Sequence, residues 1–314
     1  MIPTKLMTFA ELSDLYLEDL LVKYSSKEDY WENPTVYDTD RLGRLLKARV
    51  YPSIGDIPLM RFDIFTHKIL YKDLYHQKIS PIYMYWIILN VKHILLFAAK
   101  KGLIEKEIID SFSMHKTSNH ISPMLTIEEI NKMLEAAPKI QNAVMYPLTL
   151  FTGMKSSEIR SLLWSDINPE NRTLLVQRYI GQKSSNEKAT ILSKEISERR
   201  TIYLSEQAWK ILSFQYSYEF SGATLDVGSE LPNQFIFHIK RDPFTYIASN
   251  SANDILHDLK IITGLRNFTF DSLRQQYVVT AMKQIDDPIA IKKLVGYKST
   301  DSVLKLRKYI NSIP

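Results

Sequence analysis

Three short motifs in the C-terminal half of the chain, together with the spacing between them, constrain the fold more than any other feature. They are Thr-Gly-Met-Lys-Ser-Ser-Glu-Ile at 152–159, Phe-Asp-Ser-Leu-Arg at 270–274 and Leu-Val-Gly-Tyr at 294–297. Arg274 precedes Tyr297 by 23 residues, and Tyr309 lies 12 residues further on. The order and the intervals of these charged and hydroxyl side chains are therefore the most informative property of the sequence.

These motifs resemble those of the tyrosine recombinases, the phage-integrase family, which read T-G-x-R-x-x-E-(I/L), H-x-L-R, L-G-(H/W) and then a nucleophilic Tyr. The resemblance runs from about residue 8 to residue 310. It implies a mainly α fold with a small β-sheet. Its expected parts are an N-terminal four-helix core-binding (SAM-like) domain at 1–112, a linker at 113–124 and a tyrosine-recombinase catalytic domain at 125–314.

Composition narrows the possible classes of protein. A length of 314 residues predicts about two domains, and 45% hydrophobic with 24% charged residues is typical of globular proteins. The absence of Cys excludes disulfides and thiol catalysis, and the seven His show no metal-ligand spacing, so no metal or cofactor is expected. The N-terminus lacks the apolar run of a signal peptide, and polar residues interrupt the apolar stretch 79–99, so we expect a cytoplasmic protein without a membrane span.

The charge is unevenly distributed. The net charge is +5, with basic and acidic side chains balanced over residues 1–113, so that residues 114–314 carry the whole excess. This pattern is compatible with a polyanionic partner and also with an ordinary solvated surface. The resemblance implies double-stranded DNA as the partner, with self-association on DNA as dimers or tetramers.

Helical periodicity and turn residues predict the N-terminal elements. We expect helices near 9–20, 37–50, 65–75 and 81–100, the last with Pro at its first turn. Arg41, Arg44 and Lys47 recur on one face of the second helix. The resemblance implies that these residues and Lys92 contact DNA phosphates, and the alternative is a solvated helix face.

The C-terminal elements follow from the same signals. Helices are predicted near 127–137, 140–152, 249–263, 271–284, 288–295 and 300–310, with a helix after Ser205 and another that carries Glu158 and ends near Leu163. Residues 173–176 and 200–204 are expected to form strands, separated by a long polar segment.

The resemblance assigns the reactive residues one by one. Arg274 corresponds to the second family Arg and is expected to face a phosphate. Lys155 stands where the first family Arg belongs, so the positive charge is kept but the two-pronged guanidinium is lost. The site is then either weakened or rebuilt around a lysine. Glu158 is expected to orient Lys155 or Arg274 from behind.

Two further positions depart from the family pattern. Asp271 replaces the family His, and it either pairs with a nearby cation, takes a proton, or caps the helix that carries Arg274. Tyr297 replaces His or Trp, and its hydroxyl can still donate a hydrogen bond to a phosphate oxygen.

The nucleophile and the general acid leave alternatives open. The usual bacterial spacing lands on Leu306, and Tyr309 is one turn further, so Tyr309 is either the nucleophile or a packed helix residue. Lys194 is the expected general acid, with Lys183 and Lys188 as alternatives. The remaining residues expected to contact DNA in this half of the chain are Lys183, Arg200 and Lys298.

Two functions are compatible with these assignments. The first is a site-specific recombinase of the integrase type, which cuts and rejoins DNA through a 3′-phosphotyrosine intermediate, with an active site that has drifted. The second is a recombinase-fold regulator or accessory factor that binds DNA without cutting it.

Overall fold

The computed structural model describes residues 7–23, 39–112, 124–182, 188–229 and 231–311. Contacts divide the chain into two compact units, Met1–His120 and Ile121–Pro314. The expected linker at 113–124 lies outside the described residues except for Met124.

The N-terminal unit is helical throughout its described part. Its helices are α1 (Phe9–Lys23), α2 (Thr39–Arg49), α3 (Ile64–His76), α4 (Pro81–Lys100) and the short α5 (Glu107–Ser111). Five helices therefore replace the expected four within the described residues. A π-helical turn, Tyr51–Gly55, and a 3₁₀ turn, Leu59–Arg61, connect α2 to α3.

Local signals explain where these helices begin. The Ser80 side chain accepts a hydrogen bond from the backbone N–H of Tyr83, and Pro81 occupies the first turn of α4. Asp63 caps α3 in the same way through the backbone N–H of Thr66. Within the described residues, α4 is the one helix long and apolar enough to cross a membrane, and eight of its twenty residues are buried within the unit.

The described part of the C-terminal unit combines helices with three small antiparallel sheets. Its helices are α6 (Ile127–Ala136), α7 (Met145–Thr152), α8 (Ser156–Ile159), α9 (Glu206–Glu219), α10 (Ser249–Thr263), α11 (Phe270–Met282), α12 (Pro288–Val295) and α13 (Asp301–Asn311). Its strands are β1 (Ile167–Asn168), β2 (Thr173–Val176), β3 (Arg178–Gly181), β4 (Thr190–Ser193), β5 (Arg200–Tyr203), β6 (His238–Ile239) and β7 (Asp242–Tyr246).

The sheets contain both expected and unexpected pairings. The order β1-β2-β5 joins the two predicted strands, with Val176 opposite Arg200. The β3–β4 hairpin lies in the long polar segment between the two predicted strands, for which periodicity predicted no strand. Its strands are four residues long and adjoin polar residues, so their alternation was too short to predict a strand.

Two helices of this unit are shorter than predicted. α7 begins at Met145 rather than near residue 140, because Asn142 adopts a left-handed backbone conformation with φ of 66° and interrupts any earlier helix. α8 ends at Ile159 rather than near Leu163. Leu163 instead forms an isolated antiparallel bridge with Phe235.

Two hydrophobic clusters hold the C-terminal unit together. The larger cluster surrounds Tyr146, Trp164, Phe237 and Phe268, all of them 1% exposed or less. The smaller cluster fixes α12 and α13 on α11 through Val278, Ile291, Val295, Val303 and Leu306. The three sequence motifs converge where these helices meet the β5 strand.

Candidate active site

Two glycine turns frame the site because only glycine fits them. Gly153 ends α7 with φ of 64°, and a Cβ at this position would collide with the ring of Tyr277. Gly296 ends α12 with φ of 67°, and a Cβ there would lie 2.7 Å from Nη1 of Arg200. A left-handed conformation and a close approach thus coincide at both motif glycines.

Arg274 is held between these two turns. Its Nε donates to the Gly153 carbonyl at 2.9 Å, and its Nη2 donates to the Val295 carbonyl at 2.6 Å. The side chain is buried, and its Cζ lies 4.3 Å from the centre of the Tyr297 ring. Within the described residues no hydrogen bond engages Nη1, so the guanidinium is positioned by the backbone and keeps donors for another partner.

Glu158 lies at the centre of a cluster of charged side chains. Oε1 accepts from Lys194 Nζ at 2.7 Å and from Arg200 Nη1 at 2.9 Å. Oε2 accepts from Arg200 Nη2 at 2.7 Å and from the backbone N–H of Lys155 at 2.9 Å. Burial by itself would raise the pKa of Glu158, but the hydrogen bonds and charges of Arg200 and Lys194 outweigh it and hold the pKa at about 2.

The partners of Glu158 differ from the expected ones. Glu158 was expected to orient Lys155 or Arg274. It accepts from the backbone N–H of Lys155, but its other hydrogen bonds come from Lys194 and Arg200, and none comes from Arg274 within the described residues. Arg200 is the first residue of the edge strand β5, where it pairs with Val176 of β2, and from there its guanidinium reaches Glu158 of α8.

Arg200 does not have the environment predicted for a DNA contact. Its side chain is only 8% exposed, and both terminal nitrogens bind Glu158. A guanidinium that makes two hydrogen bonds to one carboxylate stabilises the arrangement of the site and is not available to bind a phosphate.

Lys155 lies beside this network with its side chain half-buried. Burial lowers the pKa of Lys155, and the charges of Arg274, Lys194 and Arg200 lower it further, against the opposing effect of Glu158. The cluster therefore carries four cationic side chains around one carboxylate. Such an excess of positive charge favours an anionic ligand.

Asp271 does not cap the helix that carries Arg274. The N-cap of α11 is Thr269, whose side chain accepts from the backbone N–H of Ser272, so the capping interpretation of Asp271 is wrong. Asp271 is exposed, and its charge is felt by both Arg274 and Tyr297. Its carboxylate reduces the positive potential near Arg274.

Tyr297 lies half-buried immediately after Gly296. Burial raises the pKa of Tyr297, Arg274 opposes this shift and Asp271 adds to it. The phenol is therefore protonated at neutral pH and retains a hydrogen that it can donate.

The last described helix carries both residues considered for the nucleophile position. Leu306 is 4% exposed and belongs to the cluster between α11, α12 and α13. Tyr309 follows one turn later and is half-buried. Leu306 is thus a core residue, and the tyrosine is displaced by one turn along a helix that packs on the element carrying Arg274.

The other candidate residues lie outside this cluster. Lys188 and Lys298 are exposed, and Lys183 lies outside the described residues. In the N-terminal unit Arg41, Arg44 and Lys47 are exposed on α2, and Lys92 is half-buried on α4. Across the described ranges no group of His, Asp or Glu has the arrangement of a metal site.

The model of the phage integrase family matches residues 123–312, which is more than half of the chain. The chain belongs to the phage integrase family. Among curated members of related sequence is the Escherichia coli (strain K12) protein IntQ, described as defective, which is 23% identical over 126 residues, 40% of this chain and 31% of that protein. The tyrosine recombinase XerC of Pediococcus pentosaceus is 24% identical over 214 residues, 61% of this chain and 69% of its own length.

Solved structures of other integrases share the fold. The Tn1549 transposon integrase in complex with a circular intermediate DNA superposes with a TM-score of 0.71 at 16% identity, over 98% of this chain and 100% of that chain. A lambda integrase dimer bound to a core site superposes with a TM-score of 0.64 at 17% identity, over 96% of this chain and 77% of that chain. The expected fold class, mainly α with small sheets and a tyrosine-recombinase catalytic domain, is confirmed.

Proposed function

We propose that this phage integrase family member is a site-specific DNA recombinase that cuts and rejoins duplex DNA through a 3′-phosphotyrosine intermediate. The observation that carries the proposal is the convergence of Lys155, Lys194, Arg200 and Arg274 around the buried Glu158. These residues lie far apart in sequence and on separate elements, and the single carboxylate of Glu158 leaves the cluster with a net positive charge, which favours an anionic ligand.

The cluster suits the charge that develops during phosphoryl transfer. Negative charge builds on the non-bridging oxygens when the tyrosine attacks, and cations held in advance stabilise it. Arg274 and Lys155 are the groups proposed to face the phosphate, with Tyr297 donating a hydrogen bond. Arg200 and Glu158 are proposed to hold this arrangement, because their own polar groups are bound to each other.

Tyr309 is the proposed nucleophile. It lies on α13, which packs on α11 and α12, the helices that position Arg274. Lys194, the expected general acid, belongs to the same cluster. The family reaction is a transesterification that uses neither a metal nor a cofactor.

The proposed partners are double-stranded DNA and further copies of the same chain. Lambda integrase has been seen as a dimer on a core site and as a tetramer on a Holliday junction. By analogy, we expect this chain to bind DNA with its basic residues and to form dimers or tetramers there, in the cytoplasm.

A regulator that binds DNA without cutting it is the second candidate. Three observations favour it: Lys155 replaces an arginine, Asp271 places a carboxylate near Arg274, and the related protein IntQ is described as defective. The two changes in this chain, at Lys155 and Asp271, weaken the geometry or the positive potential that cleavage requires.

Covalent trapping distinguishes the two candidates. The full chain is incubated with a nicked duplex taken from its own genomic surroundings and then denatured, and protein-linked DNA is counted. We expect an adduct with the unaltered protein and none with Tyr309→Phe. Tyr203→Phe is the matched control, because Tyr203 is 81% exposed on β5. Binding without an adduct would establish the regulator instead.

A further inference from the structure

The hairpin that carries Lys194 has little packing of its own. Its strands β3 and β4 are four residues long and, among the described residues, pair only with each other. β3 lies against α8, but none of the four residues of β4 belongs to a hydrophobic cluster of the described residues. Lys194 comes directly after β4, and its Nζ lies 2.7 Å from Glu158 Oε1. The position of this lysine therefore depends on how the two ends of β4 are held.

A tyrosine outside the three motifs holds the other end of β4. Tyr246 Oη donates a hydrogen bond at 2.5 Å to the carbonyl of Ala189, the residue directly before β4. The ring of Tyr246 lies edge-on to that of Phe235, with the ring centres 6.1 Å apart. The first end of β4 is thus bonded to the last residue of β7, and the other end, through Lys194, to Glu158 of α8.

β7 is itself anchored to the interior of the C-terminal unit. Tyr246 pairs across the β6–β7 hairpin with His238, which is 6% exposed and whose ring lies 2.9 Å from Glu219 of α9. The next residue, Ile247, is 2% exposed, and its carbonyl accepts from Nη1 of Arg160 at 2.6 Å. The hydroxyl of Tyr246 is therefore carried by a backbone that is fixed on both sides.

Arg160 connects this anchor to the active site. It directly follows α8, two residues beyond Glu158, and it is 6% exposed. Its Nε donates to the carbonyl of Ser156, the first residue of α8, at 3.2 Å. One end of β4 is therefore bonded to α8 through Glu158, and the other end is bonded to it through β7 and Arg160.

We propose that Tyr246 is a positioning residue whose hydroxyl fixes the start of β4, so that Lys194 stays at the active site as the general acid. This inference rests on the proposed recombinase function and on the role that Lys194 has in it. A general acid acts only within hydrogen-bond reach of the oxygen that it protonates. Without the hydroxyl of Tyr246, the hairpin can shift, and Lys194 spends less time within that reach.

The hydroxyl of Tyr246 takes no part in the bond changes. Tyr309 Oη forms a bond to phosphorus, and the bond between phosphorus and the 5′-oxygen breaks. The electron pair of that bond goes to the 5′-oxygen, which takes a proton from Lys194 Nζ and leaves as a hydroxyl. The phenol proton of Tyr309 passes to water, and water returns a proton to Lys194. Tyr246 affects this step only through the position of Lys194.

Sulfur in place of the bridging 5′-oxygen at the scissile phosphate separates this role from a general structural one. A thiolate leaves without being protonated, so displacement of the general acid no longer slows cleavage. Adduct formation is measured in single turnover, with protein in excess, on a nicked duplex from the protein's own genomic surroundings and on its sulfur counterpart. The full-chain variants are Tyr246→Phe, Lys194→Ala, the two combined, and Tyr203→Phe as the matched control, since Tyr203 is 81% exposed on β5.

We expect Lys194→Ala to cleave the ordinary duplex about 10²- to 10⁴-fold more slowly than the unaltered protein, and the sulfur duplex within about tenfold of it. Tyr246→Phe keeps the ring and its contact with Phe235. It is expected to be about 2- to 10-fold slower on the ordinary duplex, which is the effect of one hydrogen bond, and as fast as the unaltered protein on the sulfur duplex.

The combined variant and the control complete the comparison. Adding Tyr246→Phe to Lys194→Ala should cause no further slowing, because a lysine that has been removed cannot be positioned. Tyr203→Phe should match the unaltered protein on both duplexes. The sulfur duplex also reports on folding, since a misfolded variant is slow on both.

Three results would overturn the inference while leaving DNA cleavage intact. Equal slowing of Tyr246→Phe on both duplexes would show a general structural role, and an unchanged rate on the ordinary duplex would show that the hydroxyl positions nothing. A defect of Lys194→Ala that sulfur does not relieve would remove Lys194 as the general acid. If the unaltered protein forms no adduct with either duplex, the recombinase function itself fails and the inference fails with it.

Discussion

At the residue scale, Glu158 is the group on which the arrangement of the site depends most. It is 1% exposed and neutralises part of a cluster of four cations. Removing its charge would leave Lys194 and Arg200 buried and mutually repelling. Loss of one member of a buried ion pair is far more costly than loss of a solvated pair.

Glu158→Gln is therefore expected to lower the free energy of unfolding by about 3 to 5 kcal/mol, because it leaves buried charges unpaired. Glu206→Gln is the matched control. Glu206 also binds an arginine, Arg172, at 2.9 Å, but its side chain is 56% exposed. We expect the control to cost about 0 to 1 kcal/mol in chemical denaturation of the full chain. Equal effects would contradict the central role of Glu158.

The same carboxylate predicts a pH dependence of stability. The pKa of Glu158 falls from 4.5 to about 2 on folding, so its contribution is fully present above pH 4.5 and is lost as the pH falls toward 2. That contribution is about 3 kcal/mol. Denaturation of the unaltered protein across this range should lose stability more steeply than Glu158→Gln. If the stability of the unaltered protein and that of Glu158→Gln changed equally with pH, Glu158 would not be held in its charged form.

The sequence predicted which residues belong to the site better than it predicted their partners. The motifs identified Lys155, Glu158 and Arg274 because glycine turns and fixed spacing mark them. The pairing of Glu158 with Arg200 was missed, because it depends on the register between β2 and β5, and no local pattern encodes that register. The predicted strand at 200–204 was the only sequence feature that bore on this pairing.

At the scale of single elements, the predicted bounds are correct where Gly or Pro marks the end of a helix, and the short strands of one hairpin were not predicted. The structure places α10 at Ser249–Thr263 and α12 at Pro288–Val295, as predicted. A Gly in the left-handed conformation follows each of these helices, and Pro occupies the first turn of α12. Periodicity did not predict the strands of the β3–β4 hairpin, because pairing between strands, rather than local preference, stabilises strands of four residues.

On α13, a core residue and the proposed nucleophile lie one helical turn apart. Leu306 is buried in the cluster with Val278 and Val295, while Tyr309 is half-buried. Leu306→Ala is expected to lower the free energy of unfolding by about 2 to 5 kcal/mol, since it leaves a cavity. Tyr309→Phe is expected to cost less than about 1.5 kcal/mol, because it removes one hydroxyl.

Two measurements on both variants, chemical denaturation and adduct formation, test whether Leu306 serves packing and Tyr309 serves reactivity. Leu306→Ala should form the covalent adduct under conditions where it remains folded, and Tyr309→Phe should be stable without forming it. A stable, adduct-forming Tyr309→Phe would mean that the hydroxyl of Tyr309 is a packing feature only.

At the scale of the whole molecule, the spacing of the motifs was sufficient to predict the family and the fold class. Basic residues occur in both units, and four of those in the N-terminal unit, Arg41, Arg44, Lys47 and Lys92, were predicted to contact phosphates. Arg44 and Arg49 lie on the same helix, α2, and provide a matched pair. Both side chains are exposed, and they differ in that Arg49 donates to the side chain of Gln77 at 2.8 Å.

Arg44→Ala is therefore expected to reduce the slope of log affinity against log salt by about 1, while Arg49→Ala leaves it unchanged. Fluorescence anisotropy with duplex DNA between about 50 and 200 mM salt measures both slopes. An equal reduction for the two variants would show that α2 contributes only general positive charge. A flat response for the unaltered protein would argue against DNA as the ligand.

The proposed reaction joins one particular oxygen atom, Oη of Tyr309, to DNA. Peptide mapping of the adduct identifies it, because trypsin cuts after Lys308 and releases the C-terminal peptide 309–314, whereas Tyr297 leaves in the peptide 294–298. After nuclease and trypsin digestion of the trapped complex, mass spectrometry should find a nucleotide on the peptide that begins at Tyr309. A nucleotide on any other peptide, or on none, would contradict the central claim that this site cleaves DNA through Tyr309.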